Sequence, residues 1–485
     1  MRKFFRNILG GRGALHSPGD THLAAANTLL KSGKTEEAEL QLRQAIALSP
    51  ESQAANKALG RLFLETGRPV DAERILRKVL GAEPENRDVL AWLGQALFFM
   101  HDYHNAWRHL ARANAIVSLD SREHYWLAAA LLYSGRMEEA GKILKAGLEL
   151  DPSEPALVGM LALQHLLCGN WREGFRHYET RFRQMRDTTA QESTRTSLEI
   201  LDSQLAGISA WSGEEIVGKS LLVWNEQGLG DAIMMLRLVS VLGEERGAAS
   251  VTFLGAPPLE NLVKRCTPIR FLDARHYRQP IAGEFDFQCS IMSLPYLMNI
   301  DSKRISGLVP YIRMPESLSS AWGSMFQSSS DIRVGVAWAG NPTLGMDVLR
   351  SINLSQLEPL FSCGGAFFVS LQKDDAAREE LRTSGLPLTD WMDRCYDFAD
   401  TAALIDNLDL VISVDTAVAH LAGAMGKPVW LLNRFESEWR WMRGREDSVW
   451  YPSMHIFNQT ESRNWGPIIN RMAAELRALV ATVAG

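Results

Sequence analysis

The stretch LDLVISVDTAVAHLAGAMGKPVWLL, from Leu408 to Leu432, decides how the C-terminal half is read. Leu410 to Val414 is an apolar, β-branched run of the kind that makes a buried strand. Asp415 and Thr416 follow where a helix would be capped, and Ala417 to Met425 is rich in helix formers. Gly426 stands at the expected helix stop, Pro428 follows, and Val429 to Leu432 is apolar again. The order is strand, tight turn, helix, short loop, strand. Such a turn brings unpaired backbone N–H groups and the positive end of a helix dipole to one spot, which suits a phosphate.

Working outward, the region before this unit also alternates strands with helices, which predicts parallel sheets. Strands are expected at Ser220–Asn225, Ser250–Leu254, near Arg270, Asp286–Ile291, Arg333–Ala337 and Phe367–Leu371. The first runs into EQGLGDAIMMLRLVSVL, where Gly228 and Gly230 allow a tight turn and Asp231 opens a helix. No third glycine completes a dinucleotide fingerprint, which argues against a Rossmann oxidoreductase. A carboxylate at the carboxyl end of a strand can serve as a general base; it can equally be a helix cap. Arg350 and Lys373 follow strands and keep their charge at neutral pH, so either can face a diphosphate. Asp400 is expected to cap the helix TAALIDNL, and the clustered Trp439, Trp441, Trp450 and Tyr451 to pack a core. GEEIVGKS, Gly213 to Ser220, has the spacing of a phosphate-binding loop, but a strand rather than a helix follows it. An ATPase is therefore rejected.

The first third repeats every 34 residues: Pro50, Pro84 and Pro152 are in register, with Ser118 in the intermediate slot. Ala26, Gly60, Gly94, Ala128 and Ala162 form one small-residue set, and Ala38, Ala72, Ala106, Ala140 and Gly174 a second. Gly33, Gly67, Gly135 and Gly169 mark the turn between paired helices, with His101 as the exception. Leu42, Leu76, Leu110, Leu144 and Tyr178 fill one large slot. This is the tetratricopeptide period, and about five units predict a helical solenoid with a protein-docking face. Trp92, Trp107, Tyr125, Trp126 and Trp171 either line that face or pack inside.

The totals bound the rest. At 485 residues with net charge −6, the chain calls for several domains and gives no electrostatic case for nucleic acid. Five scattered cysteines without a C-x-x-C pair argue against a disulfide framework or zinc site. No apolar run is long enough to cross a membrane, and a cytoplasmic setting is expected. Domains are expected as a flexible tail (1–18), repeats (19–186), a linker (187–217), a first α/β lobe (218–312), an interlobe linker (313–331), a second lobe (332–463) and a C-terminal helix (464–485).

The motifs EQGLGD, VGVAWAGNP…RSI, SLQK, DFADTAALI, DLVISVDTAVAHLAGAMGKPVW and WRW…WYP resemble one bacterial group. These are tetratricopeptide proteins whose C-terminal half is similar to heptosyltransferases of the GT-B fold, two Rossmann-like lobes facing a cleft. Protein O-glycosyltransferases, including those acting on flagellin, resemble it more distantly. The resemblance implies an inverting, metal-independent glycosyltransferase that uses a nucleotide-sugar as substrate and needs no cofactor. It implies Asp231 as the base, with Gln227, Gly228 and Gly230 forming the acceptor-side turn. Asp415, Thr416, Ala417, Val418 and His420, with Lys373, Arg350 and Asn341, would hold the donor. The acceptor would be a protein hydroxyl, flagellin or another surface protein, recruited by the repeats. The chain departs from the family pattern at Ala417, where a glycine is usual, and at Leu344, Met346 and Val348, which replace polar residues. Two alternatives are a scaffold with an inactive nucleotide-binding half, and a nucleotide-sugar epimerase.

Overall fold

The structure is a computed structural model that describes residues 18–183, 205–275, 283–326 and 331–484. The expected tail (1–18) and the first part of the expected linker (187–204) lie outside the described residues, apart from Pro18 at the first helix start. The chain forms two compact units, 1–164 and 165–485.

Helix pairs fill the first unit: α1 (Pro18–Lys31), α2 (Thr35–Leu48), α3 (Gln53–Glu65), α4 (Pro69–Ala82), α5 (Arg87–Phe99), α6 (Tyr103–Ile116), α7 (Ser121–Tyr133) and α8 (Met137–Leu150). The repeat explains each break. Gly33, Gly67, Gly135 and Gly169 have φ between +72° and +83°, and His101 takes the same left-handed conformation at +61°. The small residues are forced by packing. A Cβ on Gly60 would lie 2.7 Å from Leu76 Cδ2, and one on Gly94 would lie 2.5 Å from Leu110 Cγ. Leu42, Leu76, Leu110 and Leu144 are fully buried. Side-chain oxygens of Ser52, Asn86, Asp102 and Asp120 cap the following helices, with Glu123 completing a capping box at Asp120. Of the aromatics, Trp126 packs edge-on against Phe98 and Phe99.

α9 (Pro155–Leu167) and α10 (Trp171–Tyr178) complete the fifth pair, and α10 is packed within the second unit. Trp171 stacks on Trp450 at 5.0 Å, and Phe175 meets Trp439 edge-on. Tyr178, in the slot that leucine fills elsewhere, is half-buried and directs its hydroxyl to Gln227.

The second unit holds two all-parallel sheets. The first lobe has β1 (Ser209–Ala210), β2 (Ser220–Trp224), β3 (Ser250–Gly255), β4 (Arg270–Asp273) and β5 (Phe287–Ser290), in spatial order β1-β5-β2-β3-β4. The second lobe has β6 (Ile332–Ala337), β7 (Ala366–Ser370), β8 (Leu388–Asp390), β9 (Leu410–Val414), β10 (Val429–Asn433) and β11 (Met454–Asn458), in order β11-β10-β9-β6-β7-β8. The helices that bear on the site are α11 (Leu229–Arg246) after β2, α12 (Glu316–Gly323) between the sheets, α13 (Phe398–Asp406), α14 (Ala417–Ala424) and α15 (Gly466–Ala484). Trp465, Ile468, Met472 and Leu476 of the last segment sink into the second-lobe core beside Val334, Phe368 and Ile412. Beneath the cleft, the fully buried Arg237 of α11 donates to the carbonyls of Met234, Ile305 and Trp450 and lies over Tyr311 and Tyr451. It joins the lobes, and among the described residues no carboxylate pairs with it.

Two expectations are corrected. The stretch 187–217 is not a linker throughout, because β1 pairs with β5 and Trp211 is buried. (The interlobe stretch 313–331 carries α12, whose Ser319 bonds to Asp406 and Asn407 at the end of α13.) The cap of α13 is Asp397, not Asp400: its carboxylate accepts the N–H groups of Ala399 and Asp400, while Asp400 accepts the Tyr396 N–H. The helix starts three residues early because the Asp397 carboxylate satisfies two of its first N–H groups. Among the described residues no helix is long and apolar enough to cross a membrane.

Candidate active site

Open parallel sheets place ligands beyond the carboxyl ends of their strands. In the second lobe the loops after β6, β7 and β9 leave the same edge, since Ala337 pairs with Ser413 and Val336 with Ser370. The turn after β2 in the first lobe faces them.

The first-lobe turn is heavily tethered. Gln227 has φ +63°, and its side chain exchanges hydrogen bonds with the Tyr178 hydroxyl at 2.8 and 3.2 Å. Its neighbour Glu226 is buried against Arg181, with contacts of 2.6 to 3.1 Å, and accepts from Ser290. Asp231 Oδ2 accepts the Gly228 N–H at 3.1 Å, so the carboxylate does cap its own helix. Its other oxygen is ion-paired with Arg440, reaching across from the second lobe.

The second-lobe turn is open. Thr416 is the N-cap of α14, yet its side chain accepts nothing from the helix. The Ala419 N–H bonds to the Thr416 carbonyl at 3.1 Å, so the N–H groups of Ala417 and Val418 are the ones open to a ligand. Ser413 Oγ and Thr416 Oγ1 are 3.2 Å apart, which turns the threonine hydroxyl back toward the strand. The Asp415 carbonyl accepts from Arg350 at 3.0 Å. The Asp415 carboxylate lies 3.7 Å from His420 Nε2. Burial alone would raise its pKa, but His420 and Arg440 outweigh burial and hold it below the ordinary range. His420 is fixed by the Tyr451 hydroxyl at 2.9 Å from Nδ1 and by stacking on Trp441 at 5.2 Å. The two turns touch: a Cβ on Gly230 would sit 2.8 Å from His420 Cδ2 and 3.5 Å from the Ala417 Cα. Only glycine lets the lobes approach this closely.

Between the turns lies a cleft of about 760 Å³. The residues expected to form the acceptor-side turn and the donor site line it: Gln227, Gly228, Gly230 and Asp231 on one side, and Asn341, Arg350, Lys373, Asp415, Thr416, Ala417, Val418 and His420 on the other. Their chemistry is uneven. Lys373 Nζ donates to the carbonyls of Met392 and Cys395 at 2.9 and 2.6 Å, and Arg350 is bridged to Asp347 at 2.7 Å. The Asn341 carboxamide oxygen is taken by the Thr343 N–H and hydroxyl. Leu344 stands 52% exposed at the rim. Cys395 also lines the cleft, but burial pushes its thiol up to about 12, so it is no nucleophile at neutral pH. Among the described residues no cluster of histidine, cysteine, aspartate or glutamate is placed to hold a metal ion.

Sequence reading missed Arg440, Glu438 and Tyr396, all in the cleft wall. Arg440 sits inside the tryptophan cluster taken for packing, and Trp439, Trp441, Trp450 and Tyr451 are indeed buried. Its alternation with tryptophans was the available signal. Gln372 was also passed over; its side chain pins the backbone of Trp338 and Ala339.

Two parallel-sheet lobes, a capped carboxylate turn and an open helix N-terminus facing each other define a GT-B-type α/β domain preceded by tetratricopeptide repeats. Comparison with known families supports this: residues 372–440 match glycosyltransferase family 9 (heptosyltransferase), and residues 29–96 and 124–154 match tetratricopeptide repeats. The chain thus carries a family 9 glycosyltransferase domain together with tetratricopeptide repeats. It is similar to protein FlbA of Caulobacter vibrioides, 28% identical over 396 residues that cover 75% of this chain. The match spans 62% of FlbA. Among solved structures, it is similar to PilF of Pseudomonas aeruginosa (24% identity, 33% of this chain and 74% of that one, TM-score 0.30). It is also similar to MamA of Desulfovibrio magneticus (19% identity, 37% of this chain and 99% of that one, TM-score 0.32).

Proposed function

We propose that this protein is a cytoplasmic glycosyltransferase that moves a sugar from a nucleotide-sugar to a protein hydroxyl recruited by its repeats. The observation that carries the reading is the cleft itself, where an uncapped helix N-terminus with Arg350 and Lys373 faces a carboxylate on the opposite lobe. The donor's diphosphate fits the N-terminus of α14, and the sugar then points toward Asp231. Asp231 accepts the acceptor's hydroxyl proton as the new bond to the anomeric carbon forms. The bond from that carbon to the phosphate oxygen breaks, and its electron pair leaves with the diphosphate. Attack from the face opposite the leaving group inverts the anomeric centre. The N–H groups of α14 and the nearby cations stabilise the developing charge, so the step needs no metal. A solenoid suits a polypeptide acceptor, and a flagellin-like surface protein is the first candidate.

The test is transfer from a panel of nucleotide-sugars to candidate acceptor proteins, read by intact mass. Wild-type protein is expected to add one or more sugar masses, and Asp231→Asn to lose about 10²–10⁴ of the rate. Free sugar or an isomerised donor without any acceptor adduct would refute the reading.

A second reading, a nucleotide-binding scaffold without transfer activity, is favoured by one observation: both oxygens of Asp231 are already engaged. Protein that binds a nucleoside diphosphate yet transfers to no acceptor would support it.

A further inference from the structure

Arg440 is the cleft cation with a choice to make. Its guanidinium is ion-paired with Asp231 across the cleft and lies 3.4 Å from Glu438 on its own loop. It rests over the Trp439 ring at 4.5 Å, and its Nε is buried without a hydrogen-bond partner. The other two cations are held differently: Arg350 by Asp347 beside it, and Lys373 by two backbone carbonyls. Neither bond involves the carboxylate that must take a proton. With Oδ2 on the Gly228 N–H and Oδ1 on Arg440, neither oxygen of Asp231 is free to receive a hydroxyl proton. Asp231 therefore needs another anion to draw Arg440 away. A diphosphate does so, since a planar guanidinium matches two phosphate oxygens and the diphosphate carries more charge than one carboxylate.

Resting on the glycosyltransferase reading, we propose that Arg440 is a cross-cleft latch, exchanged between Asp231 and the donor's diphosphate. Donor binding recruits the guanidinium to the leaving group and frees Asp231 as the base in the same movement. The order of events follows: donor first, acceptor deprotonation second.

Asp231 and the diphosphate compete for one cation, so removing the carboxylate must tighten nucleotide binding. The experiment is calorimetry of ADP, GDP, CDP, UDP and dTDP on full-length protein and variants, each checked for folding by circular dichroism and melting. Asp231→Asn is expected to bind the accepted nucleotide about fivefold or more tighter than wild type. Arg440→Ala binds it at least about tenfold weaker, and adding Asp231→Asn to Arg440→Ala brings no gain. Arg440→Lys, which keeps the charge without the fork, falls between and serves if the alanine variant misfolds. Equal or weaker binding by folded Asp231→Asn overturns the latch while leaving the nucleotide site standing. Binding of none of the five nucleotides by wild type overturns both.

Discussion

The two turns that face each other across the cleft are built from the same plan and finished in opposite ways. Both leave a buried parallel strand, both carry an aspartate, and both start a helix. In the first lobe the aspartate bends back to the Gly228 N–H, and the turn is tied by Glu226 to Arg181 and by Gln227 to Tyr178. In the second lobe the aspartate turns aside to His420, and Thr416 leaves the helix N-terminus uncapped. The difference teaches which side takes an anion. A helix whose positive end is already satisfied by its own carboxylate repels a phosphate, whereas an uncapped one attracts it. The tethered turn keeps a charged group in place; the open turn keeps a binding site available.

Four experiments break or sharpen that contrast. The largest effect belongs to Glu226→Gln, which leaves Arg181 charged and buried with one fewer carboxylate. A loss of about 3–5 kcal/mol is expected, read from urea unfolding followed by tryptophan fluorescence. Next is Thr416→Asp, which gives the open turn the kind of cap the first turn already has. Nucleoside diphosphate affinity should fall by about one to two orders of magnitude while the melting temperature holds or rises; undiminished affinity would remove α14 from the donor site. The third concerns acid. Asp415 is held below its ordinary value of 3.8, so its contribution is complete above that pH and lost as pH falls further through the folded value. Asp415→Asn should therefore be less stable at neutral pH and show a flatter stability profile below about pH 4, measured by melting across an acid series. The smallest effect is Tyr178→Phe, which deletes the hydroxyl on Gln227 for about 0.5–1.5 kcal/mol. It should lower kcat more than it raises the donor KM, because it loosens the acceptor-side turn alone.

Much of this was legible in residue order. The repeat is periodic, and the period survives even where a glycine is missing: His101 adopts the left-handed turn that Gly33, Gly67, Gly135 and Gly169 adopt. The strands and both site turns are local patterns, so Leu410–Val414 and the helix from Ala417 stand where the quoted stretch placed them. Other features are not local. Asp400 was the cap expected from sequence, and the path of the chain gives that place to Asp397 three residues earlier. Arg440 looked like one charge among tryptophans, because its partner Asp231 lies more than two hundred positions away. Asn341 was read as a donor ligand, yet its oxygen is spent on its own turn.

By itself, then, the sequence determined the solenoid, the two parallel sheets and the position of each site turn, since short-range periodicity, capping and glycine placement act over a few residues. Tertiary structure decided the rest. It set which carboxylate meets which cation, that α10 packs with the α/β half, and that Gly230 must lack a side chain to admit His420. These depend on distances between segments far apart in the chain, which residue order alone does not carry.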